Sequence, residues 1–179
     1  MIAGLSQYSI MNRIQCFKPL VDREAQIIIL GTMPGEKSLI DNFYYGNPKN
    51  HFWDILFRIL EPEHDFYELA STKSIDEKRR LLLNNRIGLW DVIESCERKG
   101  SNDSKINNEI LNDFTKFFRL YPAITTVYFN GRNAREYFQK RYSEVDFENI
   151  EFHQLNSTST SNPNNTFGIL TEWKSKLKK

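Results

Sequence analysis

The sequence predicts an α/β fold, a doubly wound and mainly parallel sheet between two helical layers. Three observations predict it. The run Ile27-Ile-Ile-Leu30 is too short for a helix and too apolar for an edge strand, so it reads as a central parallel strand. Thr125-Thr-Val-Tyr-Phe129 is rich in β-branched and aromatic residues and reads as a second strand. Segments with apolar residues at helical spacing alternate with these strand-like runs along the chain.

Taken in order, Ile27–Leu30 runs into the turn Gly31-Thr-Met-Pro-Gly35 and then a polar and aromatic loop that includes Tyr44 and Tyr45. Asn47 followed by Pro48 is a helix-start signal, because Asn suits the N-cap and Pro the first helical position. That helix carries Phe52, Trp53, Ile55, Leu56, Ile59 and Leu60 and ends at Pro62. A second helix covers Ile75 to Asn84, and Ile87–Ile93 reads as a short strand or a buried loop. Ile106, Ile110, Leu111, Phe114, Phe117 and Phe118 predict a third helix, stopped before Pro122. Asn130-Gly131 ends the second strand, and a helix follows over Arg132–Arg141. Ile150, Phe152 and Leu155 bracket the last strand. The polar loop 156–163 leads to a final helix with Phe167, Leu170, Trp173 and Leu177 near one face. No repeat or Pro/Gly/Ser-rich linker divides the chain, so it reads as one domain over 1–179, with residues 1–16 as an extra N-terminal segment.

The chain has 179 residues, 40% hydrophobic and 26% charged, the composition of a globular domain. Its net charge of +1 gives no global signal for nucleic acid, so any DNA contact must come from a local patch. Aromatic residues reach 13%, enough to fill a core or to offer flat faces to bases. Cys16 and Cys96 are isolated, which argues against a structural zinc or iron–sulfur site and fits a reducing cytoplasm. No aliphatic run is long enough to span a membrane, and no secretory signal is apparent. His51, His64 and His153 lack metal-like spacing and read as structural. There is no Walker loop and no Gly-x-Ser-x-Gly elbow.

An open α/β sheet binds ligands outside the carboxyl ends of its strands, so the segments after the strands are the candidates. Asn50, in the predicted first helical turn, can both accept from and donate to a water; it can equally cap the helix or face solvent. Tyr44 and Tyr45 can stack on a planar ligand or pack on the core. The loop from Asn156 can bring hydroxyls and N–H groups to phosphates, or be an ordinary solvated connection.

Several segments together resemble the uracil-DNA glycosylase superfamily, and among its members the hypoxanthine-DNA (deoxyinosine) glycosylase family. They are Gly31-Thr-Met-Pro-Gly35, Ser38-Leu39, Tyr44-Tyr-Gly-Asn-Pro-Lys-Asn-His-Phe-Trp53, Gly88-Leu-Trp-Asp-Val-Ile-Glu-Ser-Cys-Glu-Arg98, Gly100-Ser-Asn-Asp-Ser104, Phe129-Asn-Gly131 and Leu155-Asn-Ser-Thr-Ser159. The resemblance runs from about residue 17 to the C-terminus.

It implies a three-layer αβα fold and an enzyme that flips a deaminated base out of damaged DNA. Such an enzyme hydrolyses the bond from base to deoxyribose in base excision repair, with no metal or cofactor. Many relatives carry Asp or Asn where this chain has Met33; the family it most resembles shares that departure and uses the residue matching Asn50 as the catalytic group. The resemblance further implies a base site formed by Thr32, Met33, Pro34, Gly35, Tyr45 and Phe52. It also implies a DNA-binding loop of Asn156, Ser157, Thr158, Ser159 and Thr160, with Asn156 and Thr160 standing where Pro is common. The expected activity is hypoxanthine release from damaged DNA by a cytoplasmic monomer; the alternatives are uracil or xanthine release, or a DNA-binding relative that has lost catalysis.

Overall fold

A computed structural model describes residues 13–63, 70–162 and 166–177. Along the chain run β1 (Arg13–Gln15), β2 (Ile27–Gly31), α1 (Glu36–Asp41), α2 (Phe52–Leu60), α3 (Ile75–Asn84), β3 (Ile87–Asp91), β4 (Ile93–Glu97), β5 (Asn107–Leu111), α4 (Phe114–Leu120), β6 (Thr126–Asn130), α5 (Arg132–Gln139), β7 (Glu151–Leu155) and α6 (Thr166–Leu177). Among the described residues no helix is long and apolar enough to cross a membrane.

The main sheet has the order β3-β2-β6-β7, with every pairing parallel. β2 lies inside it, and Ile28, Ile29 and Leu30 are fully buried. Helices cover both faces of such a strand, which is why its sequence is apolar without alternation. On the outer edge of β3, Leu20 and Leu89 exchange backbone hydrogen bonds of 2.9 and 2.8 Å, which covers part of an otherwise open edge.

A second sheet, β1-β4-β5, is antiparallel. β3 passes into β4 through Val92, so one length of chain serves both sheets. The N–H groups of Val92 and Ile93 donate to the carbonyls of Gly31 and Thr32 at 2.8 and 3.1 Å. The segment set apart at the N-terminus contributes β1, which pairs with β4 through Arg13, Ile14 and Gln15.

The second sheet also corrects the helix expected from Ile106 to Phe118. Asn107–Leu111 is strand β5, and α4 begins only at Phe114. Positions 106, 110, 114 and 118 satisfy a helical period on paper, yet Ile110 is 49% exposed while the other three are buried. β4 has a free edge that β5 pairs, and Asn107-Asn108 is a poor helix former because its side chains compete for backbone groups. Asp113 then starts α4 by accepting from the Lys116 N–H at 2.9 Å.

Two other helices differ from expectation. α2 begins at Phe52 rather than Pro48. The preceding residues form a turn instead, in which Asn47 accepts from the N–H groups of Lys49 and Asn50. In α6 the buried face is Ile169, Trp173 and Leu177, whereas Phe167 is 77% exposed. By contrast α3 has the expected bounds, set by a capping box in which Ser74 and Glu77 satisfy each other's backbone N–H.

The abundant aromatic residues are mostly core. Phe114, Phe118, Phe138, Tyr142, Phe147 and Phe152 form a continuous cluster of edge-to-face and tilted rings around α4 and α5. Trp173 is fully buried, meets Phe52 edge-on at 5.9 Å and donates from Nε1 to the Asn156 carbonyl at 3.0 Å. Trp173→Ala is expected to lower stability by about 3–5 kcal/mol, the usual cost of emptying an aromatic core site. Urea unfolding with an unchanged m-value checks this; a loss below 1 kcal/mol would show that α6 is not held through this ring.

Candidate active site

The four parallel strands end side by side at Gly31, Asp91, Asn130 and Leu155. Beyond these ends lies a cavity of about 180 Å³, lined by the turn Thr32–Gly35, Tyr44 and Tyr45, Asn47 and Asn50, and Ser157–Ser159, with Asp91 and Asn130 at the strand ends. This is smaller than the pockets that take drug-sized ligands and suits one flat ring system.

The turn is held from behind. Arg98 is 7% exposed and donates to the carbonyls of Pro34 and Gly100 and to the Asp103 carboxylate. Ser101 accepts from the Glu36 N–H at 2.9 Å. The segment 98–103 therefore clamps the turn, which explains the residue types quoted there. Thr32, Met33 and Pro34 are buried and Gly35 is half-buried, and all four line the cavity. The N–H groups of Met33 and Gly35 make no hydrogen bond among the described residues.

Tyr44 and Tyr45 divide the two roles weighed for them. Tyr44 is 4% exposed, donates its hydroxyl to the Lys18 carbonyl and meets Phe17 edge-on, so most of its ring is core. Tyr45 has a φ of 52°, a left-handed conformation that costs on the order of 1–3 kcal/mol for a side chain of this kind. That conformation lays its ring flat on Phe52, with centroids 3.8 Å apart and planes 10° apart. Phe52 itself is fully buried and does not line the cavity. Its expected place in the base site is corrected: it is the slab behind Tyr45, because α2 starts at this residue and turns its side chain into the core.

Asn50 lies just ahead of α2 rather than within its first turn. Its Oδ1 accepts from the Phe52 N–H at 3.0 Å, so it does cap, while its Nδ2 makes no hydrogen bond among the described residues. The carboxamide thus has a free donor and a spare lone pair at the cavity wall.

The loop after β7 is anchored at one residue. Thr158 is fully buried; its N–H donates to Asn130 Oδ1 and its hydroxyl accepts from Asn130 Nδ2, both at 3.0 Å. Its expected place among DNA contacts is corrected, since the residue is fully buried and its N–H and hydroxyl are committed to Asn130. Asn156 is exposed, but its amide is held by Glu172 and its carbonyl by Trp173. Ser157 and Ser159 line the cavity, and Thr160 is exposed. The loop reaches the β6 end closely: Gly131 has a φ of 99°, and a Cβ there would stand 2.9 Å from Ser157 Cβ. His153 stacks on Tyr128 away from the cavity, while His64 and Pro163 lie outside the described residues.

Two residues of the site were missed as site residues, Asp91 and Asn130. Each is the polar residue closing an apolar strand, and that position was the available signal. Asn130 Nδ2 also donates to the Tyr45 hydroxyl at 2.8 Å. Asp91 is 4% exposed and its Oδ2 has no partner. Burial first, and the nearby Asp103 second, push its carboxyl up to about 7, against the pull of Arg98. Burial, then Asp91, also push the Tyr45 hydroxyl up. Among the described residues no group of three or more His, Cys, Asp or Glu side chains is placed to hold a metal ion.

The profile of the Uracil DNA glycosylase superfamily matches residues 18–175. The chain belongs to that superfamily. This DNA glycosylase is 39% identical over 121 residues to a protein of Methanosarcina acetivorans named hypoxanthine DNA glycosylase, covering 68% of this chain and 73% of the relative. A protein of the same name from Methanosarcina barkeri is 38% identical over 125 residues, covering 69% and 74%. A solution NMR structure from M. acetivorans, described as a uracil DNA glycosylase, superposes with a TM-score of 0.76 at 32% identity, over 93% of this chain and 97% of that one. The expected α/β glycosylase fold is thereby confirmed.

The Asp91 carboxyl makes the stability of the glycosylase depend on pH. The folded protein keeps this proton to about pH 7, whereas an unfolded chain releases it near pH 4. Between those values the folded state binds more protons, so this group's contribution falls as pH rises. Asp91→Asn removes the effect. It is expected to gain on the order of 2–4 kcal/mol relative to wild type between pH 4 and pH 8. Urea unfolding at both pH values measures the difference; a difference independent of pH would mean that the native carboxyl is ionised throughout.

Proposed function

We propose that the protein removes hypoxanthine from deoxyinosine in damaged DNA, by hydrolysing the N-glycosidic bond of a nucleotide flipped into the strand-end cavity. The observation that carries this is the cavity itself: a slot for one flat base, with the Tyr45 ring backed by Phe52 on its wall and the free Asn50 donor beside it. The names of the two Methanosarcina relatives support the choice of base. An aromatic face holds a base without needing its edge, and such stacking is worth roughly 1–3 kcal/mol.

The chemistry follows from where charge develops. Departure of the base leaves an oxocarbenium-like sugar, and a water held by the Asn50 carboxamide is placed to capture it. A neutral amide is a weak base, but an advanced cation needs an oriented water more than a deprotonated one. The leaving purine becomes negative, and the unpaired N–H groups of Met33 and Gly35 are donors available to it. No step calls for a metal or a cofactor.

DNA is engaged through local charge and hydroxyls. Lys37 lines the base cavity, and Arg132 lines the adjoining groove beside the loop 156–162. Ser157 and Ser159 suit the sugar–phosphate backbone, which positions a duplex without reading it. We read the enzyme as a monomer of the cytoplasm, where Cys16 and Cys96, both free thiols, stay reduced.

A panel of duplexes, each holding one hypoxanthine, uracil or xanthine, tests the substrate by strand nicking after alkali. Hypoxanthine is expected to be released, with or without a chelator. Release of uracil alone would overturn the choice of base, and binding without nicking would overturn the enzyme reading. Asn50→Ala is expected to bind the deoxyinosine duplex as wild type does and to lose on the order of 100-fold or more in single-turnover cleavage. Cleavage at the wild-type rate would reduce Asn50 to a cap for α2.

A further inference from the structure

Across the Tyr45–Asn50 loop from the base cavity lies a second hollow, which the mechanism does not use. It measures about 380 Å³, about twice the volume of the base cavity. Lys37, Tyr45, Asn47 and Asn50 line both, so the two hollows share one wall. Phe43, Pro48, Trp53 and Ile75 supply the other apolar walls, from the loop after α1 and the starts of α2 and α3.

We propose that this hollow is a second nucleobase subsite: it takes the base next to the flipped nucleotide, on the same DNA strand. This rests on the strand-end cavity holding the flipped base, and it adds where the strand goes next.

Continuity supports it first. The proposed mechanism puts the bond to be broken, and with it the sugar, beside Asn50. Asn50 lines the second hollow as well. The next nucleotide is tied to that sugar through a single phosphate. A strand that fills the first hollow therefore brings a neighbouring base to the second.

The walls support it next. Their polar groups are largely committed. The Trp53 indole N–H donates to the Tyr44 carbonyl at 3.0 Å, and Asp54 accepts from the Ala70 N–H at 2.8 Å. Asp41 is paired with Lys37 at 2.8 Å. The charged residues of the hollow, Lys37 and Lys78 against Asp41 and Asp54, leave no net charge. That suits a neutral ring rather than a free phosphate. A ring between such walls is held by the apolar area it loses to water, not by its edge. Ile75 is 42% exposed, and covering it is part of that gain.

Lys78 offers a contact to the backbone that carries the base. It is half-buried, lies over the Trp53 ring at 5.7 Å and makes no ion pair among the described residues. Burial lowers its pKa below the ordinary lysine value, against the opposing pull of Asp41, Asp54 and Glu77. A phosphate beside it compensates for the hydration that burial removes. In a duplex the neighbouring base must first unstack, so the subsite acts where the strand is single, frayed or mismatched.

The test is equilibrium binding, by fluorescence anisotropy, of a single-stranded oligonucleotide holding one 2′-fluoro-deoxyinosine. The fluorine destabilises the oxocarbenium-like sugar, so the strand stays intact. A baseless tetrahydrofuran residue replaces the nucleotide on the 5′ side or the 3′ side. One of these replacements is expected to weaken wild-type binding by about fivefold or more, the worth of one stacked base, and the other by less than about twofold. Ile75→Glu puts a carboxylate into the hollow at the first turn of α3, where a helix favours it. This variant is expected to bind the intact strand less tightly and to bind the intact and baseless strands equally. The same penalty in wild type and Ile75→Glu would overturn the proposal, because the flanking base would then act through the strand and not through the hollow. A wild type indifferent to both replacements would overturn it without the variant. A wild type that leaves unmodified deoxyinosine intact refutes the substrate reading instead. The comparison reads binding alone, so it then decides on the base that is released, or on this same strand if none is.

Discussion

The carboxamide of Asn130 is the interaction on which the pocket depends. It joins three pieces of chain far apart in sequence: the end of β6, the Tyr45 hydroxyl and the loop at Thr158. All its hydrogen bonds are buried or partly buried, where an orphaned partner costs more than a solvated one. The aromatic wall and the serines of the loop are thus positioned by the same group. A short polar residue is required there because the strand must stop and a donor and an acceptor must both be supplied in one plane.

Around that point, strain and clamping work in the same direction. Tyr45 accepts an unfavourable backbone conformation, and the stack on Phe52 together with the Asn130 bond offsets it. Arg98 holds the opposite wall through two carbonyls and a carboxylate. Arg98 itself does not line the cavity, yet together the two devices hold its walls in place. Preorganisation of this kind matters most under the proposed mechanism, in which the acting groups are a neutral amide and backbone N–H donors, because weak groups act only when well placed.

Much of the fold was legible in the sequence, and the failures share a cause. β2 was clear because a strand covered on both faces is apolar throughout, and α3 was clear because Ser74 and Glu77 form a local cap. The segment from Ile106 failed because its spacing suits a helix while its true partner, the edge of β4, is distant in sequence. α2 failed at its start because the Asn47-Pro48 signal built a turn, tied down by the bond from the His51 N–H to the Thr158 carbonyl. In the site, Tyr45 and the turn 32–35 line the strand-end cavity, and the apolar strand before them was the signal for that place. Asp91 and Asn130 were not singled out, since an Asp or Asn after an apolar run looks like a strand end until the register sets both beside Gly31 and Tyr45.

The passage of β3 into β4 carries one more consequence. The turn bearing Thr32 to Gly35 is bonded to the residues where one sheet hands over to the other, so it is braced like a beam crossing two walls. A turn braced in this way resists being displaced by a guest. The deformation needed to bring a nucleotide in then falls on the double helix. Sound base pairs resist that deformation more than mismatched or damaged ones. On the proposed reading, a braced turn becomes a filter on the DNA: bases are sorted partly by how readily each one leaves its partner.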